Sequence, residues 1–220
     1  MKKFKYIGAD KFLKSHLIKV IEKGEYEVGD VRFDHNPTVL DLGANIGSYT
    51  YYIVNKYPGA HVIAFEPIPA TVENYLENMK AVMMPAWNYR LMPCAVFPTD
   101  DKTLTMYLSK VNSGMNSFQK VLTNTAVAAK IQVPVVRPKY LPNCDILKMD
   151  IEGAEVPVLK EYLTTHPKPA VVSFEFHYFA DRCELEEILG DEYILVSGRI
   201  TSPSMGTLNF VHKDAFDRVA

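Results

Sequence analysis

The sequence predicts an α/β fold in which a mostly parallel sheet is covered by helices on both faces. Three observations carry this. Short, near-continuous apolar runs recur at 38–42, 61–65, 145–149 and 170–176, the composition of strands buried on both faces. Segments of helical period separate them. The chain has 220 residues, 48% hydrophobic and 23% charged, enough for one packed core and too apolar for a disordered polymer.

The elements follow in order. Residues 1–35 read as an N-terminal helical extension and 36–220 as the main domain. Phe12, Leu13, Leu17, Ile18, Val20 and Ile21 recur at helical spacing, so 9–23 is expected to be an amphipathic helix ending at Gly24. Its lysines read either as the solvated face of a cap or as a lid or acidic-partner surface. From residue 37 the expected order is strand 38–42, helix 46–57, strand 61–65, helix 69–82 and a third strand region from Tyr89 to Val96. Residues 103–109 and 131–136 alternate like an inserted hairpin. Strand 145–149, helix 154–165, strand 170–176, helix 182–189 and strands 193–196 and 208–211 complete the sheet. Pro157 is compatible with a helix only in its first turn.

Net charge is −2, which argues against gripping a phosphate backbone, so no nucleic-acid partner is expected. No run of about 20 apolar residues exists, so no membrane span is expected, and the basic N-terminus lacks the apolar core of a signal peptide. Three scattered cysteines suit buried thiols in a reducing compartment, which reads as cytoplasmic.

In parallel sheets ligands sit beyond the carboxyl ends of the strands. There the first strand runs into Asp41-Leu42-Gly43-Ala44-Asn45-Ile46-Gly47-Ser48. A strand, a glycine turn and a helix start together cradle anions and nucleosides. Glu66 ends the second strand, where a carboxylate can accept both hydroxyls of a ribose. Asn45 stands where a dinucleotide fold needs its second glycine, so the spacing fits a cofactor with a ribose and no diphosphate.

VLDLGANIGSYT (39–50), FEPIPATVENYLENM (65–79), NSGMNSF (112–118) and DILKMDIEGAE (145–155), in that order, resemble the FkbM-type S-adenosylmethionine-dependent methyltransferases over about residues 37–212. The resemblance implies a class I methyltransferase fold: a Rossmann-like three-layer sandwich whose seven-stranded sheet ends in an antiparallel strand. It implies S-adenosylmethionine as donor and O-methylation of a sugar, glycan or other small molecule. By that resemblance Asp41, Gly43, Ala44, Asn45 and Gly47 hold the methionine end, Glu66 with Pro67 takes the ribose, and Cys94 and Ala95 flank the adenine.

Methyl transfer to an aliphatic hydroxyl needs alignment and a base or metal at the acceptor oxygen. Asp150 ends the fourth strand and Glu152 follows in a glycine turn. Glu175 and His177 share one side of the fifth strand. The preferred expectation is His177 as base, with Asp150 or Glu175 assisting. The other is Asp150, Glu175 and His177 as ligands of Mg2+ or Mn2+. Asn116 and Ser117 are expected to bind the acceptor's hydroxyls. Two rival functions keep the cofactor: methylation of RNA or protein, and a non-catalytic interaction module.

Overall fold

The structure, a computed structural model, describes residues 17–109, 117 and 127–216. Its main sheet has seven strands in the order β3-β2-β1-β7-β8-β10-β9. These are β1 (Thr38–Leu42), β2 (His61–Phe65), β3 (Tyr89–Met92), β7 (Ile146–Met149), β8 (Val171–Phe176), β9 (Tyr193–Ser202) and β10 (Met205–His212). Each pair from β3 to β8 is parallel, and β10 runs antiparallel to both β8 and β9. Strand order reverses at β1, which leads outward to β2 and β3 on one side and adjoins β7 on the other. The carboxyl ends of β1 and β7 therefore face one crevice.

Strand alternation sends the two halves of the core to opposite faces. Val39, Val62, Ile146, Val171 and Val211 pack with Tyr49 and Ile53 of the helix Ser48–Lys56 and with Tyr75 and Met79 of the helix Pro69–Ala81. Leu40, Leu42, Leu147, Phe174 and Phe210 pack with Val158, Leu159 and Tyr162 of the helix Glu155–Thr165 and with Leu185 and Leu189 of the helix Phe179–Leu189. Residues 17–21 are helical, and Leu17, Val20, Tyr26, Val28 and Val31 belong to the first of these clusters. The described part of the extension is thus packed into the common core.

Three expected elements differ in detail. The region from Tyr89 to Val96 is two strands. Pro93 cannot donate to a ladder, the amide of Cys94 turns back to the carbonyl of Met92, and Ala95–Val96 (β4) joins a second sheet. That sheet has the order β4-β6-β5, where β5 (Thr103–Ser109) and β6 (Val127–Val136) are the antiparallel inserted pair. The last helix of the second face starts at Phe179 rather than 182. Strands β9 and β10 run on into a hairpin whose polar, exposed outer half carries no apolar run to betray it.

Candidate active site

The site is built along two register rows on one face of the sheet. Asp41, Lys148, Ser173, Asn209 and Ser197 lie side by side across five strands. One pleat further on, Glu175 and Thr207 pair across β8 and β10, beside Asp150 at the end of β7. Of these residues Asp41, Lys148, Ser173, Thr207 and Asn209 are buried.

The loop after β1 is set by backbone geometry. Gly43 has φ +78°, and a Cβ there would lie 1.7 Å from the carbonyl oxygen of Asp150. Glycine therefore serves the close approach of the two crevice loops. The amides of Gly43 and Ala44 both donate to the carbonyl of Phe65, at 3.0 and 2.9 Å. Asn45 holds φ +50°, and its amide donates to Glu66 Oε2 at 3.0 Å. The second Glu66 oxygen accepts from the amide of Ile68 at 2.9 Å. Burial pushes Glu66 up to about 7, against those two amides. Gly47 caps the helix Ser48–Lys56 in the left-handed region without a side-chain cap, and the buried Ser48 hydroxyl beside it has no partner. Two carboxylate oxygens, an uncapped helix start and an orphaned hydroxyl fit the hydroxyls and charged groups of a nucleoside cofactor.

Asp41 is fully buried. Its Oδ2 accepts from the Thr50 hydroxyl at 2.9 Å, and its Oδ1 lies 3.1 Å from Lys148 Nζ, an ion pair outside hydrogen-bond geometry. It thus braces the cradle from below. Pro67 is half-buried after Glu66. Cys94 is half-buried against the second cluster, its thiol pushed up by burial, and Ala95 is buried in the smaller sheet's core.

On the acceptor side, His177 Nε2 lies 3.1 Å from Glu152 Oε2, and both side chains are largely buried. His177 Nδ1 is buried and has no hydrogen-bond partner. Burial holds the imidazole below its ordinary range against the pull of Asp150 and Asp181, so it is uncharged at neutral pH. Glu152 stands at φ +55° and Gly153 at φ +95°, a turn that brings the Glu152 carboxyl into the crevice. Burial, then the charges of Asp150 and Glu155, push Glu152 well above the carboxylate range. Burial, then Asp150, which also hydrogen-bonds it, does the same to Glu175. Asp150 Oδ2 accepts from the Tyr26 hydroxyl at 3.4 Å, the long end of such contacts. The four acceptor-side residues thus form two pairs, His177 with Glu152 and Glu175 with Asp150. The expected assistants of His177 were Asp150 or Glu175; the glycine turn at 152–153 instead brings Glu152 against Nε2.

The metal alternative finds no support in this geometry. Among the described residues no three His, Cys, Asp or Glu side chains group as a cation site needs, and His177 Nε2 is already engaged by Glu152. Ser117 is buried and donates to the carbonyl of Glu152 at 2.7 Å, so it braces the turn. Asn116 lies outside the described residues. Two contributors escaped the sequence reading, Tyr26 and Glu25, both from the extension. Glu155, in the first turn of its helix, accepts the amides of Ile151 and Gly153, both at 2.9 Å. Lys148, a lone cation in an apolar strand, was the one visible signal.

A glycine loop after β1, an acid ending β2 and an acidic turn after the neighbouring β7, on this strand order, define a class I methyltransferase domain. Residues 41–192 match the methyltransferase FkbM domain, and the chain belongs to that family. Methyltransferase 1 of Beauveria bassiana (strain ARSEF 2860) is 30% identical over 149 residues, 58% of this chain and 59% of its own length. Methyltransferase sdnD of Sordaria araneosa is 28% identical over 155 residues, 57% of this chain and 60% of its own. The chain spans about three fifths of these curated relatives. A solved FkbM methyltransferase from Methylobacillus flagellatus KT has the same fold, with a TM-score of 0.57 at 19% identity over 84% of this chain and 45% of that one. The C-terminal domain of precorrin-6Y C5,15-methyltransferase from Rhodobacter capsulatus shares it at a TM-score of 0.50 and 10% identity, over 96% and 95%. No helix among the described residues is long and apolar enough to cross a membrane.

Proposed function

We infer that this domain transfers a methyl group from S-adenosylmethionine to a hydroxyl of a sugar, glycan or other small molecule, with His177 as the base. The observation that carries the reading is the buried, unpartnered Nδ1 of an uncharged His177 whose other nitrogen is held by Glu152.

The family's donor supplies a methyl on a positively charged sulfur, with a neutral thioether as leaving group. The residues present fit it. Glu66 would accept the ribose hydroxyls, and the amides and Ser48 hydroxyl at the start of the first helix would meet the methionine carboxylate. Cys94 and Ala95 would flank the base. His177 Nδ1 would take the acceptor hydroxyl's proton as the methyl group is transferred. Glu152, facing Nε2, would orient the ring. Asp150 and Glu175 line the same crevice and are placed to hold the acceptor's other hydroxyls.

The test is transfer of a labelled methyl to panels of sugars, small polyols, phenols, peptides and RNA. Labelled hydroxyl products support the reading. Label confined to RNA or peptide would replace the acceptor class, and cofactor binding without transfer to any panel would favour an interaction module.

A further inference from the structure

Among the described residues, Lys148 is the only buried lysine or arginine. It sits in the middle of the sheet, opposite Asp41 on β1 and Ser173 on β8. A buried ammonium is costly, and an aliphatic residue fills such a position without that cost. Its contacts show what the charge does. Nζ donates to the carbonyl of Gly43 at 2.8 Å and to that of Leu42 at 3.3 Å. It lies 3.1 Å from Asp41 Oδ1 and 3.9 Å from Asp150 Oδ2. The rings of Tyr26 and Tyr49 close over it, each centred 5.8 Å from Nζ. The two carbonyls belong to the turn that carries the donor cradle, and Asp150 opens the loop that carries Glu152. Both loops meet at Gly43, where the Asp150 carbonyl leaves no room for a Cβ.

We propose that Lys148 is a positioning residue, whose ammonium holds the Gly43 turn and the Asp150 carboxylate in one arrangement so that the donor cradle and the acceptor base face each other. The proposal rests on the methyl-transfer reading above. It assigns the lysine no contact with the reacting atoms; it acts through the two loops. Methionine matches the length of the stem and keeps its packing against the two tyrosines, so Lys148→Met removes the ammonium with its charge and its bonds to the Gly43 and Leu42 carbonyls.

The single variant leaves Asp41 buried without its counter-charge and is expected to melt well below the wild type. Asp41→Asn with Lys148→Met removes both charges. The decisive comparison is that double variant against Asp41→Asn alone, in which the lysine still holds the Gly43 carbonyl. The double variant is expected to melt at or above Asp41→Asn, which strands the buried ammonium, yet bind S-adenosylhomocysteine roughly 10- to 100-fold more weakly by calorimetry, the range for one charge-assisted hydrogen bond. The donor KM rises by a similar factor and kcat falls; a purely structural lysine would change the active fraction and leave KM alone. Equal affinity and equal KM in the two variants would overturn the proposal. An unfolded double variant would do the same, since the lysine would then serve folding only. Failure of the wild type to bind S-adenosylhomocysteine would instead remove the methyl-transfer reading beneath it.

Discussion

Glu152 Oε2 stands 3.1 Å from His177 Nε2, joining the left-handed turn after β7 to the residue that follows β8. The contact leaves Nδ1 as the imidazole's unpartnered nitrogen, buried in the crevice wall. Replacing His177 by Ala is expected to lower kcat on the order of 10²- to 10⁴-fold while leaving S-adenosylhomocysteine affinity intact. Glu152→Gln should cost less, since its amide oxygen can still accept from Nε2 and hold the ring. Steady-state rates and calorimetry on the same preparations check both. Because burial lowers the His177 pKa, the acid limb of kcat should fall below pH 6.5.

Glu66 gives a second pH dependence, in binding rather than turnover. Ribose hydroxyls donate to a carboxylate, so the ionised form is the binding form. With its folded value near 7, cofactor affinity should rise from pH 6 to pH 8. Glu66→Gln should flatten that profile. Calorimetry at the two pH values decides; a flat wild-type profile would take Glu66 out of the ribose site.

Stability should run the other way. Burial raises both Glu66 and Glu155 from 4.5 to about 7. The folded protein therefore binds more protons than the unfolded chain between those values. The stabilisation is complete below about 4.5 and is lost as pH rises through about 7, by up to about 3 kcal/mol per group. Melting temperature is expected to fall across this window, and Glu155→Gln should weaken the slope.

Gly43 and Gly190 form a matched pair. Both have positive φ, but a Cβ at Gly43 meets backbone at 1.7 Å while one at Gly190 meets nothing within 4 Å. Gly43→Ala should destabilise by on the order of 4 kcal/mol, through strain and collision together. Gly190→Ala should cost about 1–3 kcal/mol, the conformational term alone. Denaturant melts of the two variants test the comparison.

Much of this was legible beforehand for a physical reason. Strands buried on both faces announce themselves as apolar runs, and β1, β2, β7 and β8 were expected to within one residue at either end. The half-exposed hairpin of β9 and β10 carries no such pattern and was read short. The cradle was legible because a glycine turn and an acid at fixed strand ends leave a local trace. The His177–Glu152 pair and Tyr26 over Lys148 were not, because each joins segments distant in sequence. Lys148 could have been found: a cation amid Ile146, Leu147 and Met149 demands a buried partner.

The most direct measurement is titration of S-adenosylhomocysteine into the wild-type protein and into Glu66→Ala. Saturable binding by the wild type, weakened at least tenfold by the substitution, is expected from the loss of a ribose acceptor. No heat of binding, or equal affinity in the two proteins, would contradict the assignment of the crevice between β1 and β2 to an adenosyl cofactor.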